Sequence, residues 1–400
     1  LAKYFTQEAQ KLTMEGRMFK KLGNIIVIVS LVLLTTLTAA AQKNRVDSPN
    51  NFKSGAVYVL TNQVQNSIAV FLRNNKDGTL TAAGTFPTGG AGNPVAIPPD
   101  PPTDPLASQG SLVLHEQLLF AVNAGSNEIS VLGVGKSSLS LIDKVASGGI
   151  RPISLTVYEN LLFVLNEGGT PNITGFTIGD DGSLTLIEGS TRPLVGGAMA
   201  DPAQVGFSND GSLLVVTEKM GNRLDTYTVD KGGLPGAPVA NASNGMTPFG
   251  FAFNNDGYLI VSEAFGGMPG QGKVSSYESA SGGLLSVVSG SVPNGQTASC
   301  WVVIANNGNY AYVSNTGSGT ISSYAIGDDG SLELVEAVAG STGAGSTPID
   351  MALSNNSRFL YVVDNGRQMI HAFATEKDGT LTPIDDEGGL PFGMQGIAAK

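Results

Sequence analysis

From Ala56 to the C-terminus, short apolar runs closed by a polar residue recur along the chain. The copies AVYVLTN, LLFAVNA, LLFVLNE, LLVVTEK, YLIVSEA, YAYVSNT and FLYVVDN reach their polar ends at Asn62, Asn123, Asn166, Glu218, Glu263, Asn315 and Asp364, 43 to 61 residues apart. Runs of this length, rich in valine, isoleucine and aromatic residues, predict β-strands rather than helices. Each is followed by a second run, as in NSIAVFL, NITGFTI and GTISSYAI, then by a tight turn and a third strand. The turns are Asp77-Gly78, Ser137-Ser138, Asp181-Gly182, Gly232-Gly233, Gly282-Gly283, Asp329-Gly330 and Asp378-Gly379. Asp-Gly and Gly-Gly provide the positive φ angles that two-residue hairpins require. A loop with glycine and proline leads to a strand of smaller residues (PISLTV, PAQVGF, PFGFAF, CWVVIA, PIDMAL). A turn such as Asn209-Asp210-Gly211 or Asn255-Asp256-Gly257 then opens the next copy.

Four short strands cannot bury both of their faces alone, but such units packed face to face in a ring can. The interval matches the blade period of propellers, with extra residues placed in loops. Seven copies therefore predict an all-β, seven-bladed β-propeller of four-stranded antiparallel blades, occupying residues 55–400 as one domain. The repeat begins on the apolar strand type (Ala56 to Thr61) and ends on the small-residue type (Gln395 to Lys400). The expected closure pairs the C-terminal strand into the first blade as its innermost strand, which removes an exposed edge.

Composition agrees: 53 glycines, 41% hydrophobic and 14% charged residues describe a turn-dense chain that can still bury a core. The N-terminal part belongs to another class. Residues 18–41, MFKKLGNIIVIVSLVLLTTLTAAA, join Lys20 and Lys21 to an apolar run and an alanine triplet, which predicts a secretory signal peptide. Contact with a membrane is expected only through that segment, and the location periplasmic or extracellular. Residues 1–17 read as a misassigned upstream leader and residues 42–54 as a linker. Residues 1–41 hold five of the 22 basic and two of the 33 acidic residues, so the remainder carries a net charge of −14. That balance argues against nucleic acid as a partner, and a monomer is expected. The lone Cys300 excludes an internal disulfide and, beside Trp301, predicts a buried, inert thiol.

Antiparallel order puts alternate connections on opposite faces of the ring. The short turns share one face. The other carries the polar strand ends and the longer connections, among them Gly89 to Ser108 with its PPDPPTDP run, and any site is expected there. Glu167, Glu218, Glu263 and Asp364 lie at or just past strand ends on that face. Converging, they would hold sugar hydroxyls or a cation, or supply a general base; taken singly, each would end its strand and bond its own loop. No Asp-x-Asp-x-Asp spacing assigns a metal ligand, so no cofactor is expected and Ca²⁺ stays open without a motif. Arg151 and Arg192 fall in loops of the same face, as candidates to clamp a carboxylate. His115 and His371 occupy different parts of the repeat and predict neither a zinc site nor a triad. GVGKS at Gly133 to Ser137 lacks the first glycine of a phosphate loop, where Ser130 stands, and reads as a hairpin.

The strand phrases YVVDN and YVSNT, with I-x-x-Y-x-I, D-G-x-L and a G-x-x-P loop around them, resemble the seven-bladed lactonase propellers. That family includes bacterial 6-phosphogluconolactonase and fungal carboxymuconate-lactonizing enzymes, and its phrases also resemble the broader YVTN-repeat propellers. The resemblance covers residues 55–400. It implies a blade carrying Pro-Arg-His, an apolar strand, and a strand ending in Asn-Glu, whose arginine, histidine and glutamate line the channel mouth. Here Pro202 is kept, Ala203 and Gln204 replace arginine and histidine, and Glu218 falls within one position of the glutamate. One blade earlier, Arg151-Pro152-Ile153-Ser154 also lacks a histidine.

Two functions follow as expectations. The first is an exported hydrolase acting on a sugar lactone or related ester at the loop-rich channel mouth, with Glu218 as base and Gln204 polarising the carbonyl. Glu167, Glu263, Asp364, Arg151 and Arg192 would then contact the substrate. The second is a non-catalytic propeller binding a protein, glycan or cation of the cell envelope, favoured by the missing arginine and histidine.

Overall fold

The computed structural model describes Phe52, residues 55–94 and residues 104–400. The expected leader, the signal segment, most of the linker and the proline run from Pro98 to Thr103 lie outside the described residues.

Among the described residues seven antiparallel sheets follow one another, nearly without helix. Their innermost strands, in blade order, are Ile397–Ala399, Leu112–His115, Ile150–Tyr158, Pro202–Phe207, Pro248–Phe253, Ser299–Ile304 and Pro348–Leu353. Neighbouring innermost strands touch around the whole ring and so wall a central channel. The second strands are Ala56–Leu60, Leu118–Asn123, Leu161–Gly168, Leu213–Glu218, Leu259–Glu263, Tyr310–Asn315 and Phe359–Asp364. These are the apolar runs of the sequence, buried almost throughout because both of their faces pack against other blades. The outermost strands, such as Leu80–Pro87, are largely exposed.

The ring closes as the repeat predicts. Ile397, Ala398 and Ala399 pair antiparallel with Val59, Tyr58 and Val57, so the two ends of the propeller share the first blade. The third blade departs from the pattern. Its outer strand is broken into Leu184–Leu186 and Arg192–Pro193, both paired with Asn172–Ile178, and the Ser190 hydroxyl accepts the Gly175 N–H at 3.0 Å inside the gap.

The hairpin glycines serve a second purpose between blades. Gly330, at φ +77°, sits against Tyr258 of the preceding blade, where a Cβ would lie 2.4 Å from the ring. Positive φ and close approach both select glycine. Buried tyrosines tie the blades together: the Tyr361 hydroxyl donates to the Gly78 carbonyl at 2.9 Å across the closure, and the Tyr324 hydroxyl to that of Val292 at 3.2 Å.

Candidate functional site

The polar residues that close the second strands are buried. Glu218, with no exposed surface, accepts the Gly196 N–H at 2.9 Å and pairs with Arg223 at 3.1 Å. Glu263 accepts the Gly245 N–H at 2.8 Å and the hydroxyls of Ser275 and Ser291 at 2.5 and 2.6 Å. Asp364 accepts the Thr347 N–H at 2.8 Å and lies 3.0 Å from His371 Nε2. A Cβ on Gly196 or Gly245 would stand 2.4 or 2.0 Å from the glutamate it faces. Each carboxylate thus clamps the loop entering its own blade onto that blade's second strand. The three do not converge.

Burial pushes the Glu263 carboxyl up, against the pull of its serine donors. Burial also opposes ionisation of Asp364, but hydrogen bonds from His371, Thr347 and its other donors leave that carboxyl below the usual range. Asp225, beside Glu218, is pushed well up by burial and then by that neighbour. His371 stands between Asp364 and Asp386, with its Nδ1 2.6 Å from Asp386, whereas His115 ends the innermost strand of the second blade. Among the described residues no group of three histidine, cysteine, aspartate or glutamate side chains is placed to hold a metal ion.

Arg151 and Glu167 do meet, as a 2.5 Å ion pair on the loop-rich face. Burial pushes the Glu167 carboxyl up, while Arg151 and Lys219 pull it down. Arg192 sits instead at the outer edge of the third blade, donating to the carbonyls of Gly189, Thr191 and Gly236.

The described end of the connection from the first to the second blade lies in the channel on its loop-rich side. Asp104 to Gly110 fills it. The Pro105 carbonyl accepts from Arg151 Nη2 at 2.7 Å, and that of Ala107 from Lys219 Nζ at 2.8 Å. The Ser108 carbonyl accepts from Trp301 Nε1 at 2.9 Å, and its hydroxyl donates to the Ile153 carbonyl at 2.9 Å. The Gln109 side chain mimics a peptide: Nε2 donates to the Val302 carbonyl at 2.8 Å and Oε1 accepts the Val302 N–H at 3.0 Å. Gly250 lies opposite, where a Cβ would be 2.1 Å from Gln109 Oε1. Around this plug stand Lys219, 3.2 Å from Asp201, and Asp104, whose carboxyl burial pushes up to about 7 against the pull of Lys219.

Beyond the plug, toward the Asn-Asp-Gly turns, the channel opens into a cavity of about 290 Å³. Its walls are the later halves of the innermost strands: Leu155, Val157, Val205, Phe207, Phe251, Phe253 and Met351, with Val113 and Ile397. Gln109, Gly110, Gln204 and Asp350 line it too. Leu155, Val205 and Phe251 are buried while Val157, Phe207 and Phe253 are half-buried, so the cavity widens to solvent on the turn side. Gln204 is stitched to the neighbouring blade, accepting the Phe251 N–H at 2.7 Å and donating to its carbonyl at 3.0 Å. Asp350, 3% exposed, accepts the Met351 N–H at 2.9 Å and the Gly110 N–H at 3.5 Å. Burial pushes its carboxyl up to about 7.

Asp350 escaped the sequence reading, although a signal was there. Counted from Pro152, Pro202, Pro248, Ser299 and Pro348, the third residues of five small-residue strands are Ser154, Gln204, Gly250, Trp301 and Asp350. All but Gln204 meet the plug directly, and Gln204 lines the cavity beneath it. Cys300 is buried, its thiol pushed up to about 12 by burial, as an inert thiol would be.

Residues 273–394 match the family described as lactonase, 7-bladed beta-propeller, a stretch running from the third strand of the fifth blade through the seventh. No curated protein matches the chain. Among solved structures, a Lactobacillus plantarum protein is 20% identical with a TM-score of 0.68, covering 86% of this chain and 99% of its own. A putative 6-phosphogluconolactonase from Bacteroides fragilis is 19% identical with a TM-score of 0.64, over 89% and 100%. The periplasmic gluconolactonase of Pseudomonas aeruginosa is 18% identical with a TM-score of 0.64, over 85% and 98%. At these identities the likeness speaks for the fold, a seven-bladed propeller, and the lactonase match is confined to residues 273–394.

Proposed function

We propose that the protein hydrolyses a lactone or closely related ester in the turn-side cavity of its channel, with Asp350 as general base. One observation carries the reading: among the described residues lining that cavity Asp350 is the only one with an ionisable side chain, and its carboxyl is pushed up to about 7. A base poised near neutrality is both deprotonated often enough and basic enough to take a proton from water. The hydroxide equivalent adds to the lactone carbonyl carbon, and the ring C–O bond breaks as the tetrahedral intermediate collapses. The leaving alkoxide then takes the proton from Asp350. Gln204 keeps the polarising role expected of it, because the Phe251 carbonyl uses only one of its two amide N–H groups. Gln109 has a second N–H to offer in the same way. Glu218, without exposed surface, acts in this reading as a loop clamp.

The matched lactonase segment supports the reaction class. Export is part of the reading, supported by the signal-like residues 18–41 and by the periplasmic gluconolactonase among the structural neighbours. A lactone panel assayed with wild type, D350N and E218Q is the test. Loss of hydrolysis in D350N with retention in E218Q is expected, and an unaltered D350N would sink the assignment. A non-catalytic binding propeller is the second reading, favoured by the plug that closes the loop-rich mouth. It gains if the entire panel is left untouched.

A further inference from the structure

We infer that Glu218 and Asp225 share one proton, and that this proton latches the loop entering the fourth blade, so that the loop-rich mouth tightens in acid and loosens as pH rises. The latch stands apart from the hydrolytic reading. Glu218 ends the second strand of that blade and Asp225 lies on the third, where Arg223 is the register partner of Glu218 and Asp225 that of Val216. Alternation along the strands puts Glu218, Arg223, Asp225 and Tyr227 on one face of the sheet.

Both carboxyls are without exposed surface, and each gives one oxygen to the same loop. Glu218 Oε1 accepts the Gly196 N–H at 2.9 Å, and Asp225 Oδ2 the Val195 N–H at 2.7 Å. Their other oxygens, Glu218 Oε2 and Asp225 Oδ1, are buried without a hydrogen-bond partner. Ionised carboxylates only accept, so the two side chains, within hydrogen-bonding reach of each other, would repel and leave both oxygens unmet. One proton between them satisfies both in a short, charge-assisted O–H···O⁻ bond. Burial and then Glu218 push the Asp225 carboxyl up, in the direction that a shared proton requires.

The other groups facing the pair do not replace the proton. Arg223 Nε stands 3.1 Å from Glu218 Oε2 as an ion pair outside hydrogen-bonding geometry, and offsets only one of two negative charges. Tyr227, kept neutral by burial, gives its hydroxyl to the Pro193 carbonyl at 3.2 Å. The loop from Leu194 to Ala200 has no charged side chain and offers only its backbone. Directly after it, Asp201 accepts the Lys219 N–H at 3.1 Å and pairs with Lys219 Nζ, which also donates to the Ala107 carbonyl of the plug. Loosening the loop therefore reaches a contact of the plug.

The test is hydrogen exchange of the Val195 and Gly196 amides in the full chain, read by mass spectrometry from pH 5 to 9 as protection relative to the intrinsic rate. The latched pair keeps a proton that the open loop, with carboxyls near ~3.9, releases. Its contribution is complete below that value and is lost as pH rises through the raised one. Wild-type protection should fall at least about tenfold over this range and then level off, one pH unit of linkage being about tenfold. In D225N the amide takes the proton's place at every pH, accepting from Val195 and donating to Glu218, so protection should stay flat. Flat protection in wild type, a D225N profile that falls like that of wild type, or an equal fall in the amides of Leu213–Glu218, which marks loosening of the whole blade, would each overturn the inference. E218Q, the mirror variant, replaces D225N if circular dichroism shows that chain to be poorly folded.

Discussion

The same seven strands build both ends of the channel, yet the ends have opposite chemistry. On the loop-rich side, Arg151, Glu167, Asp201, Lys219 and Asp104 are packed around a segment of the chain's own backbone. On the turn side, Asp350 is the one ionisable side chain among the described residues that line an open cavity. The crowded side looks more like an active site on a residue count, but its charged groups already have partners, whereas the sparse side leaves room. Charge density alone is therefore a poor guide; what matters is which polar groups remain available to something from outside.

The sharpest way to break this contrast is to neutralise one carboxyl on each side. D350N should lower kcat/KM by about 10²–10⁴-fold, the usual contribution of a general base, while D104N leaves the rate within a few-fold. Initial-rate assays from pH 5 to 9 check both. The wild-type rate should climb as pH passes about 7 and level off above it, following ionisation of Asp350.

Next comes the partition itself. In G250A the new methyl would meet Gln109 Oε1 and the Cys300 carbonyl, so the plug must shift. Overpacking of this kind costs about 1–3 kcal/mol, to be read from urea unfolding. An unchanged midpoint would mean that the plug is not seated as described.

A smaller effect concerns pH and stability. Asp104 and Asp350 each hold a proton more tightly in the folded chain, near 7, than a carboxyl does unfolded, near ~3.9. Their contribution is complete below the unfolded value and is lost as pH rises through the folded one. Wild type should therefore lose stability relative to D104N or D350N between about pH 4 and 7, measured by thermal melts in matched buffers. A gap that widens in the other direction would contradict the burial assigned to these groups. Least of all, E167Q should cost about 0–1 kcal/mol, because the Arg151–Glu167 pair is partly solvated.

Blade number and turn positions were legible in the sequence because they are local: an apolar run such as LLFVLNE and a turn such as Asp329-Gly330 carry their own conformational preferences, and the closure was legible from the strand types on which the repeat begins and ends. The direction of a strand-end carboxylate is not local. Glu218 reads the same whether it reaches the channel or clamps Gly196, and only the neighbouring loop decides. Arg151 pairs with Glu167, whereas Arg192 donates to the carbonyls of Gly189, Thr191 and Gly236, partners that no local pattern announces. The plug was invisible for a related reason. Leu106 to Gln109 has no period of its own, and its partners Trp301 and Val302 lie far along the chain. Asp350 could have been found by comparing the third place of the small-residue strands, where a carboxyl stands among serine, glutamine, glycine and tryptophan.

Asp104 to Gly110 bonds to the third, fourth, sixth and seventh blades and to Gln395 just before the last strand. The full set of partners exists only once the third to seventh blades stand together, so the segment acts like a keystone set from within. Protease cuts between residues 104 and 110 should then report rupture of the whole assembly rather than fraying at one rim, and the rate of cutting becomes a clock for how often the circle opens.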